Sequence, residues 1–168
     1  MPEPKTLQRA RRDKREHKAP TTQAGEFIRE EMDHIREGKH GARSPQQAIA
    51  IGLSKARRAG VDLPPPKSGT TSSKTRRRAE RDYARGQGAP AKRTATPKRA
   101  RASERALKRE GTAAASPRAL SEHARQTAAR RTVRQRSETA RKASRTKGPA
   151  GRAAAARKAA RSREVHAP

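Results

Sequence analysis

The chain has 168 residues, and its 44 Lys and Arg against 16 Asp and Glu give a formal net charge of +28 and a sequence pI of about 11.9. Hydrophobic residues make up 29 % and aromatics 1 %, and much of the apolar share is alanine, so a single core spanning the whole chain is excluded. With no cysteine, a disulfide framework, a thiolate metal site and a cysteine nucleophile are excluded as well.

Residues 1–21 read as a basic N-terminal tail. Met1-Pro2-Glu3-Pro4-Lys5 runs into Arg- and Lys-rich sequence with no apolar segment behind it, which argues against a secretory leader. Pro2 also occupies the position where an N-myristoylation signal needs glycine. No run of 18 apolar residues occurs, so the expectation is a cytoplasmic protein without a membrane partner.

The first clear periodicity follows. Ala24, Ile28, Met32 and Ile35 recur at helical spacing, and Gly38 is placed to end the helix in a left-handed cap, which predicts a helix over about 22–37. Ser44-Pro45-Gln46-Gln47 then supplies an N-cap serine, a proline at the first helical position and a capping-box glutamine. The helix it opens, about 45–59, places Ala48, Ile49, Gly52, Leu53 and Ala56 on one face. It stops at Gly60 after the last-turn cations Arg57 and Arg58. Joined by residues 38–43, the two helices predict an αα-hairpin at about 22–63 with a core of Ile28, Met32, Ile35, Ile49, Leu53 and Ala56, closed by Val61 or Leu63. A pair this small needs self-association or a partner for stability.

Pro64-Pro65-Pro66 and the Ser/Thr/Gly stretch behind it mark a boundary, with 64–100 read as a basic linker and 101–168 as an Ala/Arg/Lys-rich arm. Charge and hydrophobicity segregate across it. Residues 1–66 hold 14 Lys/Arg and nine acids, and residues 67–168 hold 30 and seven, so the net charges are +5 and +23. Ser103-Glu104-Arg105-Ala106-Leu107 is echoed 13 residues later by Ser116-Pro117-Arg118-Ala119-Leu120, a weak internal repetition. Alanine and arginine favour helix, so 117–142 and 151–163 are expected to become helical when phosphates relieve the repulsion of like charges. The fold class expected is thus mostly α with a large disordered fraction: a short hairpin, then a basic arm whose helices are transient or induced by binding.

The chemistry of the arm is phosphate neutralisation. Each phosphate contacted by Lys or Arg releases condensed counterions, and a charge of +23 on 102 residues repels itself unless it meets a polyanion. The candidate nucleic-acid-binding residues are Lys55, Arg57 and Arg58 on the second helix, then Arg76, Arg77, Arg78, Lys92, Arg93, Lys98, Arg99 and Arg101 in the linker and early arm. Lys108, Arg109, Arg130, Arg131, Arg134, Arg136, Arg141, Lys142, Arg145, Lys147, Arg157, Lys158 and Arg161 complete them. The plain alternative is a solvated charge surface kept for solubility. Thr96-Pro97-Lys98-Arg99 and Ser116-Pro117-Arg118 resemble minor-groove elements, but Ser116 reads better as a helix cap. No zinc-finger spacing, basic zipper or RNA-binding aromatic motif is present, and the lack of aromatics removes stacking platforms, so duplex DNA is favoured over RNA.

The acids of the first helix, Glu26, Glu30, Glu31, Asp33 and Glu37, would repel DNA. They argue against a helix-turn-helix and for a docking or dimerising surface, or a contact with the protein's own basic sequence. His34 and His40 lie near Glu30, Asp33 and Glu37, but ligand spacing is cheap in a polar helix, and neither a metal nor a cofactor is expected. No nucleophile–base pair or Gly-rich phosphate loop is visible, so no catalytic residue is expected and the protein is read as a non-enzyme.

The stretch from Ser44 to Gly60, with Ser44-Pro45-Gln46-Gln47-Ala48-Ile49-Ala50-Ile51-Gly52-Leu53 and Lys55-Ala56-Arg57-Arg58-Ala59-Gly60, resembles the signature of a family of small, basic bacterial proteins often labelled DNA-binding or plasmid-stabilisation proteins. Arg105-Ala106-Leu107-Lys108-Arg109-Glu110 and the run from Thr146 to Ala160 extend the likeness, and the tail is linker-histone-like. The resemblance implies association with DNA and supplies no catalytic residues. The expectation is a nucleoid-associated protein that binds duplex DNA without sequence specificity. The alternatives are a structured-RNA or ribosome-associated basic protein, and a protein adaptor docking through the hairpin.

Overall fold

The computed structural model describes residues 1–90 and 96–165, without the side chains of Lys147 and of residues 162–165. Among the described residues there are seven α-helices: α1 Pro4–Arg15, α2 Pro20–Arg36, α3 Pro45–Arg58, α4 Ser73–Gly86, α5 Pro97–Arg109, α6 Pro117–Ala129 and α7 Val133–Val165. A 3-10 turn lies at Ala113–Ala115. The mostly α class stands, but the large disordered fraction does not, because helix continues through both the basic N-terminal stretch and the arm.

Local sequence accounts for much of this. Pro4, Pro20, Pro45 and Pro97 each stand at the start of a helix, where the missing N–H is one that the helix would leave unused. The predicted cap of α3 is present: Gln47 N–H donates to Ser44 Oγ at 3.3 Å, and Gln47 Oε1 accepts from Arg43 N–H at 3.1 Å. Gly38 and Gly60 take φ of 73° and 85° and end α2 and α3 as expected. In the arm, Ser116 Oγ accepts from Ala119 N–H. Thr132 and Gln135 cap one another's backbone at 3.0 and 3.2 Å, ahead of an Arg134–Glu138 pair one turn apart. These caps, with the high helix propensity of Ala, Arg, Lys and Gln, provide a reason for helix in the arm that requires no bound phosphate. At Gly148, with φ 63° and ψ 176°, α7 breaks ahead of Pro149, which removes an N–H and disfavours helical geometry in the residue before it.

The chain forms two compact units, Met1–His123 and Ala124–Pro168. In the first, α2 packs against α3 and α1, α3 packs against α4, and the 3-10 turn touches both α2 and α3. The expected hairpin is present as α2 and α3, but it lies inside a larger bundle. One apolar cluster joins Leu7 and Ala10 of α1 to Ala24 and Phe27 of α2, Leu53 and Ala56 of α3, and Val61 and Leu63. A second joins Ile28, Met32 and Ile35 of α2 and Ala48 and Ile49 of α3 to Ala42, Ala114, Ala115 and Leu120. All six expected core residues pack in these clusters, Ile28, Ile49 and Leu53 being only partly buried. Phe27, fully buried with Ile35, is the large side chain that the expected core omits.

Three glycines permit close backbone approach, Gly41, Gly52 and Gly86, the last against the carbonyl of Arg57. A Cβ on Gly52 would stand 2.8 Å from Ile28 Cα, so α2 and α3 meet through the absence of a side chain there. A Cβ on Gly41 would run into the backbone carbonyl of Glu110. That contact is part of a seam in which Gly41 N–H donates to Leu107 O at 2.9 Å, Ala42 N–H to Gly111 O at 3.2 Å and Arg36 Nε to Ala115 O at 3.1 Å.

Candidate nucleic-acid interface

The expected phosphate contacts fall into three groups. Lys55 and Arg57 are corrected: both are turned into the protein. The Nζ of Lys55 lies 2.6 Å from Glu31 Oε2 and 3.3 Å from Glu30 Oε1, with 16 % of its side chain exposed. Arg57 is buried and donates from Nε to the carbonyl of Leu63 at 3.1 Å, and burial pushes its pKa down against the opposing pull of Asp82. These two cations answer the charge and hydrogen-bonding needs of the fold. Arg58 is half-exposed, donates to Ser54 O at 3.2 Å and stands 3.9 Å from Asp82.

The second group shares its charge with an acid one turn away while staying at the surface. Arg76 pairs with Glu80 at 2.9 Å, Lys108 with Glu104 at 3.0 Å and Arg134 with Glu138 at 3.0 Å. Such exposed pairs are weak, and a polyanion can displace the acid at little cost. The third group is exposed: Arg77 and Arg78 on α4, Lys98, Arg99, Arg101 and Arg109 on α5, Arg130 and Arg131, and Arg136, Arg141, Lys142, Arg145, Arg157, Lys158 and Arg161 on α7. Lys147 lies on the backbone of α7 with its side chain undescribed, and Lys92 and Arg93 lie outside the described residues. Arg134, Arg141 and Arg145, spaced by seven and four, share one face of α7.

The acids of α2 find their partners inside the first unit. Glu26 meets Arg9 of α1 at 3.5 Å, Asp33 meets Arg36 at 3.2 Å and Glu37 meets Lys39 at 2.9 Å. The neutralising charge comes from Arg9 of α1, from Lys55 of α3, and from Arg29, Arg36 and Lys39 on or just beyond α2 itself. Sequence reasoning missed α1 because its inward face mixes Leu7 and Ala10 with Thr6 and Asp13, both buried. Asp13 is satisfied there by Lys18 Nζ at 2.9 Å.

A polar cluster sits where the start of α1, the middle of α2 and residues 38–41 meet. Glu3 N–H donates to Glu30 Oε2 at 3.1 Å, and Glu3 Oε1 lies 2.9 Å from His34 Nε2 and 3.3 Å from Lys39 Nζ. These partners lower the Glu3 pKa, the contact with His34 most of all. Burial pushes the Glu30 carboxyl up, but contacts with Thr6, Glu3 N–H and Lys55 outweigh it, so the net shift is downward. Glu31 is fully buried, with His40 Nε2 at 3.2 Å from Oε1. Neither its contact with His40 nor that with Lys55 has the direction of a hydrogen bond, so both are ion-pair proximities only. The rings of His34 and His40 meet edge to face at 6.1 Å. The sequence placed His34 and His40 near Glu30, Asp33 and Glu37, but the structure selects Glu31 as the carboxylate between them.

Residues 21–67 are similar to a family of unknown function, DUF6496, and the matched segment covers α2, α3 and the chain up to Lys67. No curated protein and no solved structure matches the chain. Among the described residues no helix is long and apolar enough to cross a membrane.

Proposed function

We propose that this protein binds duplex DNA without sequence specificity, as a nucleoid-associated, linker-histone-like protein that neutralises phosphates with the exposed cations of α4 to α7. One observation carries the reading. Residues 124–168 hold 14 Lys and Arg against two acids, and the described side chains of those cations are exposed. A helix presents such cations at fixed spacing, so counterion release is bought with less ordering of the chain than a coil would need.

The aromatic inventory supports a duplex over single strands. The two aromatic residues, Phe27 and Tyr83, are both engaged: Phe27 is fully buried, and Tyr83 Oη donates to Asp62 Oδ1 at 2.6 Å. With Phe27 buried, Tyr83 alone is left, and a single ring makes no platform on which successive bases could stack. The neutralised acids of α2 remove an electrostatic objection to DNA lying near the first unit.

The test is fluorescence anisotropy with a labelled random duplex, titrated across salt, on the full chain and on a variant with Arg141, Lys142, Arg145, Arg157, Lys158 and Arg161 changed to Gln. Glutamine keeps helix propensity and removes charge. The slope of log K against log salt is expected to be steep for the parent and shallower by about 5 for the variant, if all six contact phosphate. A parent slope equivalent to one or two phosphates would falsify the reading, and stronger competition by structured RNA than by duplex DNA would move the target to RNA.

A further inference from the structure

We propose that Glu31, His34 and His40 form a binding site for a divalent transition-metal ion of the zinc type, a site independent of the DNA-binding surface. One ligand atom from each of the three residues lies within 4.8 Å of the others. Glu31 and His34 are three apart on α2 and so share a face, and His40 is returned to that face after the left-handed turn at Gly38.

Hydrogen bonding of His40 gives the first reason to place a cation here. Its Nδ1 lies 3.2 Å from the carbonyl oxygen of Gly41, which can only accept, so Nδ1 carries the hydrogen. Its Nε2 lies 3.2 Å from a carboxylate oxygen of Glu31 without the direction of a hydrogen bond between them. An ion seated between the two would take both atoms as ligands.

Glu31 gives the second. Its side chain is 1 % exposed and both oxygens lack a directed hydrogen bond. The nearby ammonium of Lys55 is shared with the buried Glu30. Two buried carboxylates thus share one ammonium, and their charge lies in a poorly solvated place where it is costly. A divalent ion on Oε1, with Lys55 on Oε2, answers it. Glu3 completes the arrangement, because its carboxylate on Nε2 of His34 restrains the ring as an outer carboxylate restrains a metal-bound imidazole.

Donor type selects the ion. Two imidazoles and one carboxylate, without thiolates, suit zinc and leave a fourth position for water, whereas magnesium and calcium prefer oxygen alone. Tetrahedral bonds to zinc place ligand atoms roughly 3.3 Å apart, so the three groups must draw together by at most about 1.5 Å. The side chains of His34 and His40 are 14 % and 17 % exposed, so both rings keep some contact with solvent. A bound ion would tie the start of α1, α2 and residues 38–41 to one another.

Chelator-treated full-length protein, titrated with zinc by calorimetry, is expected to bind one equivalent saturably. Cobalt in its place is expected to give the intense visible absorption of a four-coordinate site. His34→Gln and His40→Gln should each weaken binding at least tenfold and abolish the cobalt spectrum. Glu3→Gln should weaken binding by about 10- to 100-fold. His17→Gln and His166→Gln should leave it unchanged. Absence of saturable binding, or binding that survives the combined His34 and His40 substitutions, overturns the site. The cobalt spectrum of the unsubstituted protein decides the matter even where a variant fails to fold, since a weak, octahedral-type spectrum also overturns it.

Discussion

Between Glu3 and Glu37 every acid has a cationic side chain within 4 Å, whereas α7 carries eleven Lys and Arg with two acids, one of which, Glu138, pairs with the largely exposed Arg134. The difference is one of solvent as much as of count. In the first region several charges are partly or wholly desolvated, so the Coulomb attraction between partners is large and removing one partner strands the other. In the second the charges are hydrated and screened, so they contribute little to folding and remain free to exchange counterions for phosphates. Burial thus separates the cations that hold the first region together from those left at the surface, where the proposed phosphate contacts would be made.

The comparison breaks most visibly if Lys55 proves dispensable. Lys55→Met leaves Glu30 and Glu31 buried without their ammonium and is expected to cost about 3–5 kcal/mol in urea denaturation. It should also leave the salt slope for DNA unchanged. Arg141→Met in α7 is expected to shift stability by less than about 0.5 kcal/mol while lowering that slope by about 0.9. Equal stability effects at the two positions would contradict the division. Phe27→Ala tests the apolar side of the first region, with an expected loss of about 3–5 kcal/mol from the emptied core position.

A smaller effect is expected at the crossing of α2 and α3. Gly52→Ala inserts a methyl against the Ile28 backbone and should cost about 1–3 kcal/mol by thermal or chemical melting. Acid offers a further means of sharpening the contrast. The Glu30 pKa is lowered from 4.5 in the folded protein, so its contribution to stability is fully present above about pH 4.5 and is lost as pH falls through the lower folded value. Stability of the parent should therefore decline in that window, and Glu30→Gln should flatten the decline. The smallest effect is at Glu138→Gln, with a change in stability below about 0.5 kcal/mol and slightly tighter DNA binding as Arg134 is released.

The helices of the matched segment were the most legible part of the chain, because local signals agreed. Ser44, Pro45 and Gln47 fixed the start of α3, Gly38 and Gly60 the ends of α2 and α3, and the apolar spacing of α2 its inward face. The shortage of large apolar residues in the arm points to disorder, but helix propensity and caps such as Thr132 with Gln135 prevail over it. Of the candidate interface, the described cations of α4 to α7 are exposed apart from the partly buried Arg76, while Lys55 and Arg57 are turned inward. Their sequence neighbourhood is that of any basic helix end, and nothing local says that Glu31 and the Leu63 carbonyl wait across the bundle.

Composition and short-range pattern by themselves determined that the chain is helical, strongly basic at its C-terminal side and poor in aromatic surface, since charge, propensity and capping act over a turn or two of chain. Tertiary structure alone decided that α1 covers Phe27, that Ala114 and Ala115 close the other end of the hairpin, and that Glu3, Glu31, His34 and His40 converge. Those contacts join residues from 6 to 79 positions apart, and the burial that makes them matter exists only once the helices have packed.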